Sequence, residues 1–127
     1  MTGARILVVE DNPLNLKLVR DVLWAAGYEV VAATTGEEGL RMATECPPDL
    51  VLMDLQLPGM DGAETMRRMR EGPVAEEVPV IAVTALAMAE DHSNATRAGF
   101  DGYIEKPISV RALVGDVQGF LLGSSRE

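Results

Sequence analysis

Residues 6–13, ILVVEDNP, contain a strand, a helix start and an acidic pair within a short stretch. Ile6–Val9 is a continuous apolar run, which is typical of a parallel strand covered on both faces. The asparagine and proline that end the stretch favour the N-cap and first position of a helix. Glu10 and Asp11 lie between the two elements. The stretch therefore predicts a β–α unit with two carboxylates at the carboxyl end of its strand.

Four further strand-like runs follow: Val30–Ala33, Leu50–Met53, Val80–Val83 and a weaker one around Tyr103–Ile104. Successive runs begin 20 to 30 residues apart, which leaves room for a crossover helix and is too long for a hairpin. Right-handed crossovers place such helices on both faces of the sheet. We therefore expect an α/β fold: a doubly wound, five-stranded parallel sheet, (βα)₅, with strand order 2-1-3-4-5.

A helical segment follows each of the five runs. The capping box TGEE at 35–38 starts the second helix, and an apolar stripe of helical period marks the fifth. We expect the third over 63–70 and the fourth over 87–98. One domain is expected over 1–122, followed by a frayed tail at 123–127. The residues predicted to form the inward faces of the first and fifth helices are Leu16, Val19, Leu23, Val110, Leu113, Val114, Val117 and Leu121.

Composition narrows the class of protein. The chain has 127 residues and a formal net charge of −9, an acidic excess that disfavours nucleic-acid binding. Cys46 and His92 are single, so an intrachain disulfide and paired cysteine or histidine metal sites are excluded. No apolar run approaches the ~18 residues of a membrane span. The first residues lead directly into a strand and do not resemble a signal peptide. We expect a cytoplasmic protein without membrane insertion.

Polar residues follow several of the predicted strands, and the carboxyl ends of such strands form the usual ligand site. Three carboxylates in one pocket repel each other unless a cation joins them, and hard oxygen ligands suit Mg²⁺. An ammonium and a hydroxyl at the same edge suit an incoming anion. For Asp11, a plain helix-capping role is the alternative. The residues at this edge are Glu10, Asp11, Asp54, Thr84 and Lys106.

Four segments carry a resemblance: VVEDN (8–12), LMDLQLPGMDG (52–62), AVTALA (82–87) and YIEKPIS (103–109). In this order and spacing the chain resembles the receiver domains of two-component response regulators, the CheY-like superfamily with its flavodoxin-like fold. The match extends from residue 5 to about residue 122. Among subfamilies, the segments EDNPLN, VTALAM and KPISV are similar to the stand-alone, DivK-like cell-cycle regulators. The EDNxxN opening also occurs in receivers of hybrid kinases.

The resemblance implies a phosphorylation-dependent switch in a two-component phosphorelay. Asp54 would accept a phosphoryl group, and Lys106 and Thr84 would bind its oxygens. Thr84 and Tyr103 would be the switch residues, and the Lys106–Pro107 bond would be cis. The implied Mg²⁺ ligands are Glu10, Asp11, Asp54 and the backbone carbonyl of Gln56.

The resemblance also implies partners. A histidine kinase or histidine phosphotransfer protein would supply the phosphoryl group, and a protein effector would read the surface around the helix at 87–98, the fifth strand and the fifth helix. The chain would be a monomer or a weak, phosphorylation-dependent dimer. Leu14 and Leu18 lie on a side of the first helix away from its inward face, with Asn15 between the two sides. This suggests that Leu14, Asn15 and Leu18 form a docking surface for the phosphodonor. The alternative is that the leucines rim the core near the fifth helix.

Two other function classes are disfavoured by the residues present. A haloacid dehalogenase-type phosphohydrolase needs a second aspartate two residues after its nucleophile, and Gln56 occupies that position. A receiver-like domain that binds partners without phosphorylation would not need all five polar residues at the strand ends. We therefore expect a phosphoacceptor that assists its own phosphoryl transfer and dephosphorylation, and not an enzyme.

Overall fold

The computed structural model describes residues 3–72, 74, 77–85 and 99–125. Its strands form one sheet in the order β2-β1-β3-β4-β5, and every neighbouring pair is parallel. This topology confirms the predicted fold class. The strands are β1 (Arg5–Val9), β2 (Glu29–Ala33), β3 (Leu50–Asp54), β4 (Val80–Thr84) and β5 (Gly102–Glu105).

Four helices are described: α1 (Pro13–Ala25), α2 (Gly36–Glu45), α3 (Gly62–Glu71) and α4 (Val110–Ser125). The third predicted helix is therefore one residue longer at each end than expected. The last helix includes residues 123–125, so this part of the expected frayed tail is helical. The helix predicted over 87–98, with His92, lies outside the described residues. None of the described helices is both long and apolar enough to cross a membrane.

The helix starts follow the sequence signals with one difference. The Asn12 side chain accepts hydrogen bonds from two backbone N–H groups in the first turn of α1. Thr35 caps α2 by accepting from the Glu38 N–H at 3.0 Å. The Glu38 carboxylate, however, accepts from the N–H of Thr34 at 2.7 Å, one residue before the cap. The expected capping box is therefore formed with its reciprocal bond shifted by one residue.

The sheet separates two apolar clusters. On one face, alternate strand residues pack with Leu16, Val19 and Leu23 of α1 and with Leu113 and Val117 of α4. On the other face, the intervening strand residues pack with α2 and α3. The central strands β3 and β4 are buried throughout, whereas the edge strands β2 and β5 are partly exposed. A continuous apolar run in β2 therefore does not mean that each of its residues is buried, because an edge strand lacks a neighbouring strand on one side.

Val110 departs from the predicted inward stripe of the last helix. Its side chain is 50 % exposed, whereas Leu113 and Val117 are buried. Val110 is the first residue of α4 and precedes the turn that packs on the sheet. Periodicity alone places it on the same face, but it does not show where along a helix contact with the sheet begins.

Candidate functional site

The strand register brings the predicted polar residues to one edge of the sheet. Val9 pairs with Met53, Asp54 pairs with Val83, and Thr84 pairs with Glu105. Glu10 directly follows β1, and Lys106 directly follows β5. The carboxyl ends of four strands therefore meet at the level of the acidic residues, as expected for parallel strands in this topology.

Two of the carboxylates are buried and are bound by backbone N–H groups. Glu10 is 2 % exposed and Asp54 is 3 % exposed. Glu10 Oε2 accepts from the N–H of Asn12 at 3.1 Å, and Asp54 Oδ1 accepts from the N–H of Gln56 at 2.9 Å. Neither bond was foreseen, because every residue type except proline offers a backbone N–H and the donor leaves no sequence signal.

Lys106 bridges the two buried carboxylates. Its Nζ lies 3.0 Å from Asp54 Oδ2 and 3.2 Å from Glu10 Oε1. Burial lowers the pKa of the ammonium, but hydrogen bonding and charge attraction, first from Asp54 and then from Glu10, outweigh burial and raise the pKa above its ordinary value. The lysine therefore stays charged and neutralises part of the acidic cluster.

The pKa of Glu10 is raised above its ordinary value, chiefly because the carboxylate is buried. The charge of Asp54 raises it further, against the opposing effects of the Asn12 N–H and of Lys106. Glu10 thus carries a negative charge in surroundings that disfavour it. A further cation beside it would relieve this cost.

An exposed third carboxylate completes a group with metal-ligand spacing. Glu10, Asp11 and Asp54 each offer an oxygen within 4.8 Å of the others, and Asp11 is exposed. Hard oxygen ligands at such spacing suit Mg²⁺, which keeps several waters and uses few protein carboxylates. The donor set fits this ion, since two acids are held in place and the third lies at the solvent side.

Thr84 and Tyr103 lie on β4 and β5, the two strands that follow β3 in the sheet. Thr84 is buried, and its carbonyl accepts from the N–H of Lys106 at 2.8 Å, which ties the lysine backbone to the end of β4. Tyr103, on β5, is 41 % exposed. The peptide bond between Lys106 and Pro107 is cis.

The predicted docking residues occupy the start of α1, directly after Asp11. Leu14 is 78 % exposed, and Asn15 and Leu18 are partly exposed. Leu16 and Val19, on the same turns, are buried in the core. The first two turns of the helix therefore present apolar side chains on a side that the sheet does not cover.

Comparison with known proteins places this geometry in one family. The chain is 42 % identical over 116 residues to the polar-differentiation response regulator DivK of Brucella ovis, covering 91 % of this chain and 94 % of that protein. The crystal structure of the Vibrio cholerae chemotaxis protein CheY4 is similar with a TM-score of 0.88 at 27 % identity, covering 94 % and 99 % of the two chains.

A third similar protein is the receiver domain of the sensor histidine kinase PA1611 from Pseudomonas aeruginosa. Its crystal structure has a magnesium ion coordinated in the active-site cleft. The TM-score is 0.84 at 35 % identity, over 94 % of this chain and 98 % of that one. The family model for the response regulator receiver domain matches residues 6–118, which include every polar residue described above. The chain therefore belongs to the response regulator receiver domain family.

Proposed function

We propose that Asp54 is the phosphoacceptor of this receiver domain. The observation that carries the proposal is the buried Asp54 carboxylate at the end of β3, with the Lys106 ammonium 3.0 Å away and Glu10 beside it. An ionised carboxylate can act as a nucleophile. Phosphoryl transfer needs positioning and charge neutralisation, and both are present at this position.

An Asp54 oxygen attacks the phosphorus of a phosphohistidine. The phosphorus–nitrogen bond breaks as the new phosphorus–oxygen bond forms, and the electron pair returns to the imidazole nitrogen. The product is an acyl phosphate on Asp54. Lys106 donates hydrogen bonds to the transferred oxygens, and the Thr84 hydroxyl binds another of them. Dipoles and charges fixed in place before the reaction stabilise this charge without further reorganisation.

The proposed Mg²⁺ ligands are Glu10, Asp11, Asp54 and the backbone carbonyl of Gln56. The spacing of the three carboxylates supports this set, as does the magnesium ion in the similar PA1611 receiver. When bound, Mg²⁺ neutralises negative charge on the carboxylates and on the phosphoryl oxygens. The residues themselves hold the acceptor: the Gln56 N–H fixes one Asp54 oxygen, and Lys106 fixes the other.

The proposed output is a change of surface. Phosphorylation adds about −1.5 to −2 charges by analogy with other phosphorylated side chains. Thr84 and Tyr103 respond as the switch pair. The strand β4, which ends in Thr84, pairs with β3 beside Asp54, and β5, which carries Tyr103, pairs with β4. The affected surface would include β5, α4 and the helix predicted over 87–98, which lies outside the described residues.

The chain acts as a signalling phosphoacceptor and not as a turnover enzyme. Its proposed partners are a histidine kinase or histidine phosphotransfer protein and a downstream protein effector. The similarity to DivK and the net charge of −9 favour protein partners over nucleic acid. We propose a cytoplasmic protein that is a monomer or a weak, phosphorylation-dependent dimer.

Replacing Asp54 tests the acceptor assignment. We expect Asp54→Asn to reduce labelling by acetyl phosphate in the presence of Mg²⁺ to background, because the amide is not a nucleophile. The variant should still unfold in a cooperative thermal transition, which shows that it is folded. Intact-mass spectrometry measures the added phosphoryl group. The control is Asp21→Asn, which removes an exposed carboxylate paired with Lys17 on α1 and leaves labelling unchanged. Labelling of Asp54→Asn at the wild-type rate would refute the assignment.

Replacing Glu10 separates metal binding from stability. The raised pKa means that the folded state binds the Glu10 proton more tightly than the unfolded state. Protonated Glu10 therefore stabilises the folded state at low pH. This stabilisation is lost as the pH rises through the raised pKa of Glu10. At pH 7 we expect Glu10→Gln to weaken Mg²⁺ binding by at least the ~10-fold typical of losing an outer-shell partner, because it removes the charge of a proposed ligand. We also expect it to raise the free energy of unfolding of the metal-free protein.

Calorimetric titration with MgCl₂ and urea unfolding in chelator measure these two effects. The control is Glu37→Gln, an exposed substitution in the first turn of α2. Unchanged Mg²⁺ affinity in Glu10→Gln would remove Glu10 from the ligand set. A lower free energy of unfolding in chelator would show that the ionised carboxylate is favourable where it lies.

The exposed side of α1 provides the test of docking. We expect Leu18→Ala to slow transfer from the phosphorylated cognate phosphotransfer protein, and Leu14→Glu with Leu18→Glu to slow it further, by about fivefold or more. Acetyl phosphate needs no docking surface, so labelling by it should change little. The control is Trp24→Glu, at the other end of α1, where the side chain is 71 % exposed. A parallel fall in both routes would show that the leucines are core residues.

A further inference from the structure

Residues 55–61, here called the acceptor loop, connect Asp54 to α3 and carry Gln56. The loop is anchored inside the molecule, since Leu57 is buried. At its end, Asp61 caps α3 by accepting from the N–H of Glu64 at 2.9 Å. The Asp61 carbonyl also accepts from Thr65 Oγ1 at 2.7 Å and from the Thr65 N–H at 3.0 Å. The end of the loop and the first turn of α3 therefore form one hydrogen-bonded unit.

The start of α2 packs against this unit through a glycine. Gly36 is the first residue of α2 and is buried. A Cβ atom at Gly36 would overlap Thr65 Oγ1 and would lie 3.0 Å from the Met60 carbonyl oxygen. Ordinary side chains require more room than this, so the close approach of α2 to the acceptor loop depends on the missing side chain.

The start of α3 packs against Asp54 in the same way. A Cβ atom at Gly62 would overlap the Asp54 carbonyl oxygen and would lie 2.8 Å from Leu55 Cα. These neighbours are backbone atoms, which cannot rotate aside. The first turn of α3 therefore lies directly against the backbone of Asp54 and of the beginning of the acceptor loop.

We propose that Gly36 is a positioning residue for the phosphoacceptor site. By lacking a side chain, it lets α2 hold the acceptor loop and the start of α3 against Asp54, which sets the place of the Gln56 carbonyl among the Mg²⁺ ligands. The inference rests on the proposed function of Asp54 and Gln56. Thr65 is the second residue of this contact: its hydroxyl lies against Gly36 and donates a hydrogen bond to the Asp61 carbonyl.

The variant Gly36→Ala tests the contact. We expect its Mg²⁺ affinity to fall about tenfold, the loss typical of disturbed support around metal ligands, and its labelling by acetyl phosphate to slow at subsaturating Mg²⁺. The double variant Gly36→Ala/Thr65→Ala removes the overlapping hydroxyl and should recover the affinity of Thr65→Ala alone. The matched control is Gly39→Ala, on the same helix, where the atoms nearest to the added Cβ would be side-chain atoms of Val9 and Met69, with Val9 Cγ2 at 2.9 Å.

Calorimetry with MgCl₂ alone gives the affinities, and urea unfolding gives the stability of each variant. Wild-type Mg²⁺ affinity in Gly36→Ala, or a loss from Gly36→Ala that is equally large in the Thr65→Ala background, would overturn the proposal. If Gly36→Ala does not fold, Thr65→Ala decides: weaker Mg²⁺ binding than in Gly39→Ala supports the proposal, and wild-type binding overturns it. Wild-type protein that neither binds Mg²⁺ nor accepts label would instead refute the proposed function.

Discussion

The bridge that Lys106 makes between Asp54 and Glu10 is the constraint on which the site depends. Two carboxylates buried side by side are unfavourable unless a cation lies between them. The lysine comes from a position 52 residues after Asp54 and 96 residues after Glu10, so the bridge joins the ends of β1, β3 and β5. Any arrangement that separates these strands leaves charge buried without a partner. The polar edge and the sheet topology are therefore mutually dependent.

The parallel sheet supplies the conditions for this bridge. Central strands covered on both faces keep water from the carboxylates, while the solvent side stays open at Asp11. Backbone N–H groups at the β–α turns then replace part of the lost hydration. The proposed acceptor, Asp54, is thus fixed in place and neutralised by the Lys106 ammonium, beside the exposed Asp11. Such preorganisation is what phosphoryl transfer requires of a protein.

The sequence pattern was sufficient for the fold and for the list of residues at the strand ends, because apolar runs and their spacing determine a parallel sheet and its functional edge. It did not predict the half-burial of β2 or the exposure of Val110, which depend on tertiary neighbours. It also did not single out Gly36 or the N–H of Asn12. A close backbone approach and a backbone donor depend on three-dimensional position, and a single sequence shows neither.

The coupling free energy between Lys106 and Asp54 measures how far the buried carboxylate depends on the lysine. Urea unfolding at pH 7 in chelator would compare wild-type protein with Lys106→Met, Asp54→Asn and the double variant. If the Lys106 ammonium offsets the cost of burying the Asp54 carboxylate, Lys106→Met lowers the free energy of unfolding more in wild-type protein than in Asp54→Asn. The predicted interaction free energy lies between about 0.5 and 3 kcal/mol in favour of the pair. Additive effects of the two substitutions would contradict the account.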